Sequence, residues 1–481
     1  MRWVGLTEYV YLSPVALDTA PIDESSDRGS KMKRFGAILM GLLAGMAFAV
    51  ATAAEVIDPA TPEILSMRER GEVRDAWLTE RLDTVIPEIM RREGVDMWVL
   101  IAREYNEDPV VKTMLPAIWL RARRRTVLVF FDSGEGPVER LAVSRYPVGN
   151  AFPAAWLPEE EPNQWARLAQ IIEERDPERI ALNVSEQFGL ADGTSHQQYE
   201  EFMDALPRKY RNRVAPSEDL AIGWLEARIP AEMEVYPNIV RIAHSILAEA
   251  LSEKVITPGE TTTDDVSWWL RERVRNLNLI TWFHPSVSIA RQEQTGAGTS
   301  MAALKQDKLI RGGDLLHIDF GITYLGLNTD TQHHAYVLKQ GESDAPQGLK
   351  DGLAAANQVQ EFLTSSYRAG ATSNEILTEA RAKSLEAGLR PNIYSHPLGL
   401  HGHGAGSPIG WWDNQGSDHP KGYRALQPNT AWSIELNATH SVPEWGGQDV
   451  RFKLEEDAFF DGVSVNYLDG RQTELYLIPR Q

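Results

Sequence analysis

Apolar positions recur along this chain with two periods, and the switches between them mark its elements. Residues 73–94, VRDAWLTERLDTVIPEIMRREG, carry the helical period and predict an amphipathic helix. DMWVLIA, RTVLVFFD and RIALNVS are short apolar runs rich in β-branched residues, as buried strands are. Helix and strand alternate to about residue 228, which predicts an α/β layer over residues 55–228. Beyond EARIPAE the pattern changes. EMEVYPNIVRIAHSILAEALSEKV predicts a long amphipathic helix, and TPGETTTDDVSWWLRERVRNL a Pro-Gly turn, a threonine capping run and a second helix. DLLHIDFGITY and TDTQHHAYVL then read as two strands folded back at Gly321 and Gly326, and WSIEL and VRFKLEE as two more. There is no internal repeat and no low-complexity tract.

Five polar residues interrupt these apolar segments: Asp319, Asp330, His396, Glu435 and Glu455. A lone acid in a strand is usually a solvated residue, because acids are mostly exposed. Five in order, each inside its own apolar segment, are poorly explained that way. Four carboxylates and one imidazole are a hard-oxygen set suited to two divalent ions such as Mn²⁺, Co²⁺ or Zn²⁺, bridged by carboxylates. Two close metals turn water into a nucleophile and stabilise both sides of a displacement. The segments therefore point to a metal-dependent hydrolase.

GGDLLHIDFG, TDTQ, SHPLGL, SIEL and LEED together resemble the pita-bread metallopeptidase family, which includes methionine aminopeptidase, Xaa-Pro aminopeptidase, prolidase and metal-free creatinase. The nearest likeness is to the Xaa-Pro aminopeptidase and prolidase branch, strong over about residues 230–481 and weaker before. It implies an α+β chain: a pita-bread catalytic domain at 229–481, preceded by an α/β creatinase-like domain at 55–228. It also implies roles. Asp319 would bind one metal in bidentate fashion, Asp330 and Glu455 would bridge the two, and His396 and Glu435 would complete the second site. A hydroxide bridging the metals would attack an amide carbonyl in a small peptide, with Glu435 as proton shuttle and His403 contacting substrate. SHPLGL makes His396 the ligand. A second frame, the GHGxG of methionine aminopeptidases, would make it His403. His401 and His403 also fit a glycine-rich turn whose imidazoles bond backbone carbonyls.

Three positions depart from the family. Its working peptidases carry a histidine seventeen or eighteen residues before the first aspartate, where this chain has Ala302 and Met301. The nearest upstream histidine, His284 in TWFHPSVSI, is expected on the preceding strand, away from the metals. Asn392 replaces a histidine four residues before His396, and Lys453 an arginine two residues before Glu455. Loss of one transition-state hydrogen-bond donor costs about 10²–10³ in rate. Hydrolysis of a non-peptide amide or other small molecule, and a catalytically weak metal-binding protein, are the alternatives this raises. Trp411, Trp412 and Trp445 fit either a pocket wall or packing. At least one of Trp268 and Trp269 is expected in a core or interface. His333 and His334 are expected on a strand surface, or else beside the ligands.

Composition fits a folded enzyme. The 481 residues are 43% hydrophobic and 24% charged, ordinary globular usage, and the length favours more than one domain. A net charge of −20 argues against binding nucleic acid or an anionic membrane, which needs clustered cations. With no cysteine, disulfides, thiolate zinc sites, a cysteine nucleophile and a lipoprotein anchor are excluded. Lys31, Lys33 and Arg34 precede FGAILMGLLAGMAFAVATAA, which reads as a secretory signal cleaved after Ala53 or Ala54, with Met32 as the start and an upstream extension before it. Residues 1–54 are thus expected to leave no stable membrane anchor, and the mature chain, a homodimer, to lie in a bacterial periplasm or outside the cell.

Overall fold

The computed structural model describes residues 62–292 and 308–479, so the signal-like segment, Met301 and Ala302 lie outside the described residues. The first helix, Met67–Glu93, begins at a capping box between Ser66 and Glu69 and stops where Gly94 turns left-handed at φ 60°. It packs on a five-stranded sheet ordered Glu139–Val143, Arg125–Phe131, Met97–Arg103, Ile180–Leu182, Val214–Pro216. The central strand is buried on both faces. Met97, Val99 and Ile101 meet the helices Gln164–Arg175 and His196–Ala205, while Trp98 and Leu100 meet Met67–Glu93 and Glu218–Glu226. That burial is why the strand reads as an unbroken apolar run.

The same apolar cluster continues into the next two helices, Pro230–Ala250 and Thr263–Asn276, and on to Leu316, Ile318 and Phe320. The first of these helices starts two residues before the expected segment and ends at Ala250, five residues short of it. Its amino end is tied to the preceding layer by a buried triad. Glu232 lies 3.1 Å from Arg81 and 3.3 Å from Arg228, and Arg81 also donates to the Ala227 carbonyl at 2.7 Å. The second helix opens on a Thr262–Asp265 capping box, as the threonine run predicts.

Apart from a two-stranded hairpin of Thr323–Tyr324 and Leu327–Asn328, the remaining strands among the described residues form three sheets: Tyr476–Ile478, Thr331–Val337, Leu315–Phe320 and Ser286–Ala290; Pro391–Ile393, Leu436–Val442 and Gln448–Leu454; and His396–Leu398, Thr430–Ser433, Asp457–Phe460 and Val465–Tyr467. Helices Gln347–Thr364 and Ser373–Glu386 cover the middle sheet around Leu436 and Phe452. Three chain segments belong to both of the last two sheets and break as they cross, around residues 394–395, 434–435 and 455–456. WSIEL and VRFKLEE are therefore not continuous strands. The ladder stops at Glu435 and again after Leu454, leaving Glu455 in one isolated bridge to Gln332. A two-residue alternation carries no mark of such a change of sheet.

Other expectations change. His284 precedes the Ser286–Ala290 strand, exposed, with its ring 5.3 Å from that of Trp268. His333 and His334 are buried, at 3% and 1% exposure, because their strand lies inside its sheet. Trp268 is exposed while Trp269 packs on the core. Among the described residues no helix is long and apolar enough to cross a membrane.

Candidate metal centre

Asp319 closes a strand, and its partner across the antiparallel ladder is Gln332, two residues after Asp330. The turn between them needs glycine. A Cβ on Gly321 would lie 2.3 Å from the Thr329 carbonyl oxygen, and Gly326 has φ 86°. The Asp330 amide donates to the Asp457 carboxylate at 3.1 Å, and Gln332 and Glu455 exchange backbone hydrogen bonds at 3.0 and 3.4 Å. His396, Glu435 and Glu455 arrive at or beside the three breaks between sheets. The fold thus brings all five expected residues together.

Their spacing is that of ligands around a cation. His396 Nε2 lies 3.5 Å from Glu455, 3.7 Å from Asp330 and 3.9 Å from Glu435, too far for hydrogen bonds, and is buried without a partner. Its Nδ1 is 3.1 Å from the Pro397 carbonyl, so the proton sits there and Nε2 presents a lone pair. Asp330 Oδ1 is likewise buried and unpartnered. Three groups could each hold an ion: Asp319, Asp330 and Glu455; His396, Glu435 and Glu455; and Asp330, His396 and His403. Asp330 and Glu455 each belong to two of them.

Electrostatics agree. Burial, and then the Glu455 charge, raise the Asp319 carboxyl to about 8 and push Glu435 well above the usual range, with the Lys453 ammonium opposing only in part. Asp330 is pushed up by burial and by its four acidic neighbours. Acids so crowded take up protons or bind cations, and divalent ions fit this donor set.

Several residues that hold the cluster were not singled out from sequence. Gln332 Nε2 donates to Glu435 at 2.5 Å and to Glu455 at 2.7 Å, while its Oε1 lies 2.7 Å from His317 Nε2. Ser433 donates to Glu455. Gln332 and His317 each stand two residues from an aspartate on the same strand face, and that alternation was the available signal.

His403 approaches Asp330 to 3.7 Å, with its ring 4.6 Å from His396 and 4.9 Å from Trp282. Its side chain is 68% exposed against 10% for His396, and it meets one carboxylate of the cluster where His396 meets three. His401 turns away to the Pro109 carbonyl. A cavity of about 730 Å³ opens over the centre, walled by Phe188, Trp282, Phe283, Trp411 and Trp412. Trp445 is instead buried in the core.

His244, His333 and Glu456 form another acid–imidazole group nearby. Here the gaps are 2.9–3.1 Å, hydrogen-bond lengths, and Asp469 takes the other nitrogen of His244. Burial opposes charging His244, but Asp469 and Glu456 outweigh it and raise the imidazole to about 10. This group is a closed ion cluster.

Residues 238–457, which include all five clustered residues, match metallopeptidase family M24. That matched segment is a domain of the family. M24 metallopeptidases depend on divalent metals. No curated protein matches this chain. Among solved structures, the X-Pro aminopeptidase of Thermotoga maritima superposes with a TM-score of 0.57 at 17% identity, covering 81% of this chain and 99% of its own. The Xaa-Pro dipeptidase of Bacillus anthracis gives 0.55 at 15%, covering 86% and 100%. A dipeptidase of Pyrococcus horikoshii gives 0.54 at 19%, covering 83% and 99%. At these identities the likeness establishes the fold, the α+β pita-bread domain with its amino-terminal partner.

Proposed function

We propose that this M24 metallopeptidase is a dinuclear enzyme of the Xaa-Pro aminopeptidase type that cleaves an amide bond in a small peptide. The observation that carries the reading is His396 Nε2, a buried lone pair facing three carboxylates at 3.5–3.9 Å with no donor of its own. Asp319, Asp330, His396, Glu435 and Glu455 are the proposed ligands, with Asp330 and Glu455 shared. The oxygen-rich set favours Mn²⁺, with Co²⁺ or Zn²⁺ also compatible. Two such ions supply an activated water at neutral pH and charge stabilisation on both sides of the displacement.

The chain's own groups do the rest. Glu435, with its affinity for protons raised by burial, would carry a proton from the attacking water to the leaving amine, oriented by Gln332. His403 would contact substrate from the cavity wall, and the tryptophans would exclude water.

A second reading, hydrolysis of a non-peptide amide, has its own support. Asn392 stands where the branch often has a histidine, lines the cavity, and leaves its buried Oδ1 without a partner. Export to a periplasm, a division near residue 228 and a homodimer are further parts of the proposal and rest on the sequence. The test is turnover of a panel of Xaa-Pro peptides and simple amides after loading with Mn²⁺, Co²⁺ or Zn²⁺. Cleavage of amides but not peptides would favour the second reading. No metal-dependent turnover of either would leave a metal-binding protein.

A further inference from the structure

One wall of the cavity is a strand whose charge changes sign along its length. In Gln448–Leu454, Val450, Phe452 and Leu454 are buried, and Asp449, Arg451 and Lys453 take the opposite face. Arg451 and Lys453 line the cavity, and two residues beyond Lys453 stands Glu455 of the metal centre. Two residues of strand advance about 7 Å, so Lys453 is rooted about 7 Å and Arg451 about 14 Å from Glu455. Asp449 is held by Arg390 at 2.6 Å, which leaves Arg451 to the cavity.

The register extends this polar strip sideways. Asn437 pairs with Lys453, and Asn392 with Asn437. Asn392 Nδ2 donates to the Trp412 carbonyl at 2.9 Å, while its Oδ1 is unpartnered. Away from the centre, the charged cavity lining is Lys421, Arg451 and Lys453, and none of the three is in an ion pair among the described residues. Two divalent ions would balance the four carboxylates. The remaining charge of the cavity is then positive, which draws in and orients an anion.

We propose that Arg451 and Lys453 form a subsite for a carboxylate on the leaving fragment, with Arg451 reading one residue further from the scissile amide than Lys453. The inference rests on the peptidase reading. An aminopeptidase removes the first residue, whose free ammonium these cations would repel, so they suit the leaving side of the substrate. Short peptides with an anionic group within two residues of the cut are the substrates that fit. A terminal carboxylate and an acidic side chain both supply that chemistry.

The test compares wild type, Arg451→Gln and Arg451→Lys on a tripeptide Ala-Pro-Ala and its carboxamide, and on Ala-Pro-Asp-amide against Ala-Pro-Asn-amide. The acid of a pair should have about a tenfold higher kcat/KM, the ordinary worth of a hydrogen bond to a charged group. The first pair reports a terminal carboxylate and the second a side chain, and a margin in either supports the subsite. Arg451→Gln should abolish the margin through KM with kcat within about twofold, and Arg451→Lys should restore part of it. Equal rates for acid and amide in wild type, or an equal loss on both in Arg451→Gln, would overturn the proposal. A parallel measurement follows tryptophan fluorescence as uncleaved Ala-D-Pro-Ala and its carboxamide bind the metal-loaded protein. Tighter binding of the acid, lost in Arg451→Gln, supports the subsite even if no peptide is hydrolysed, in which case only the peptidase reading fails. Equal binding overturns the subsite.

Discussion

His396 Nε2 faces Glu455 Oε1 across 3.5 Å with no hydrogen bond between them. Glu455 in turn reaches both Asp319 and Glu435, so it stands where two candidate ion sites meet, and Asp330 is shared in the same way. Replacing Asp330 or Glu455 by alanine should therefore empty both sites, while Asp319→Ala should lower the content toward one. Elemental analysis after metal loading reads this directly. Near two equivalents retained by Asp330→Ala would show that it bridges nothing.

The two histidines near Asp330 should separate by readout. His396 is buried among three carboxylates, whereas His403 is exposed on the cavity side. His396→Ala should lose metal, and His403→Ala should keep it and lose turnover or substrate affinity. The reverse pattern would make His403 the ligand.

Gln332 holds Glu435 and Glu455 with one amide group. Gln332→Leu keeps much of its bulk and removes both hydrogen bonds, so metal affinity should fall about 10–100-fold, the usual effect of losing a group that orients ligands. Competition against a chelator measures it. An unchanged affinity would mean the carboxylates are held by the sheets alone.

How much of this was legible depends on which physical signal each residue left. The five clustered residues stood out because a carboxylate inside an apolar run is costly unless it is paired or ligating. The helix starting at Thr263 was legible from its capping run. The breaks at Glu435 and Glu455 were not, since a strand that changes sheets keeps the same alternating pattern on either side. His333 and His334 misled because histidines in tandem suggest a solvated edge. Their burial depends on Tyr476–Ile478, which pairs beside them from more than a hundred residues away. Gln332 was hidden by its type, because a glutamine two residues after a candidate acid reads as an ordinary polar residue until the register sets it against Asp319.

The cluster at His244 should make stability depend on pH in one direction. Its imidazole is raised from 6.5 to about 10 by Asp469 and Glu456. A group whose folded pKa is raised contributes fully below its unfolded pKa and loses that contribution as pH climbs through the folded value. Breaking a buried pair costs about 3–5 kcal/mol, so His244→Gln should be less stable than wild type by that order at pH 6. The gap should narrow between about pH 6.5 and 10, as wild type gives up its proton. Urea unfolding of both proteins at pH 6, 8 and 10 checks it. A gap that stays constant would mean His244 acts through packing alone.

His284 gives the sharpest test of how the site manages without the expected imidazole. It is the nearest histidine upstream of positions 301 and 302, where the resemblance places a catalytic one. The structure puts it in the approach to the Ser286–Ala290 strand, exposed and packed against Trp268. Trp282 and Phe283, its neighbours in sequence, line the cavity, and His284 does not. A side chain so placed can steady the segment that carries those aromatics, but it does not reach a developing charge at the centre. His284→Ala should therefore alter the barrier by about 1 kcal/mol or less, against about 2.7–4 kcal/mol for loss of a true transition-state donor. Any effect should appear mainly in KM, through a shift of Trp282. A hundredfold fall in kcat with metal content intact would show instead that His284 swings into the cavity during turnover.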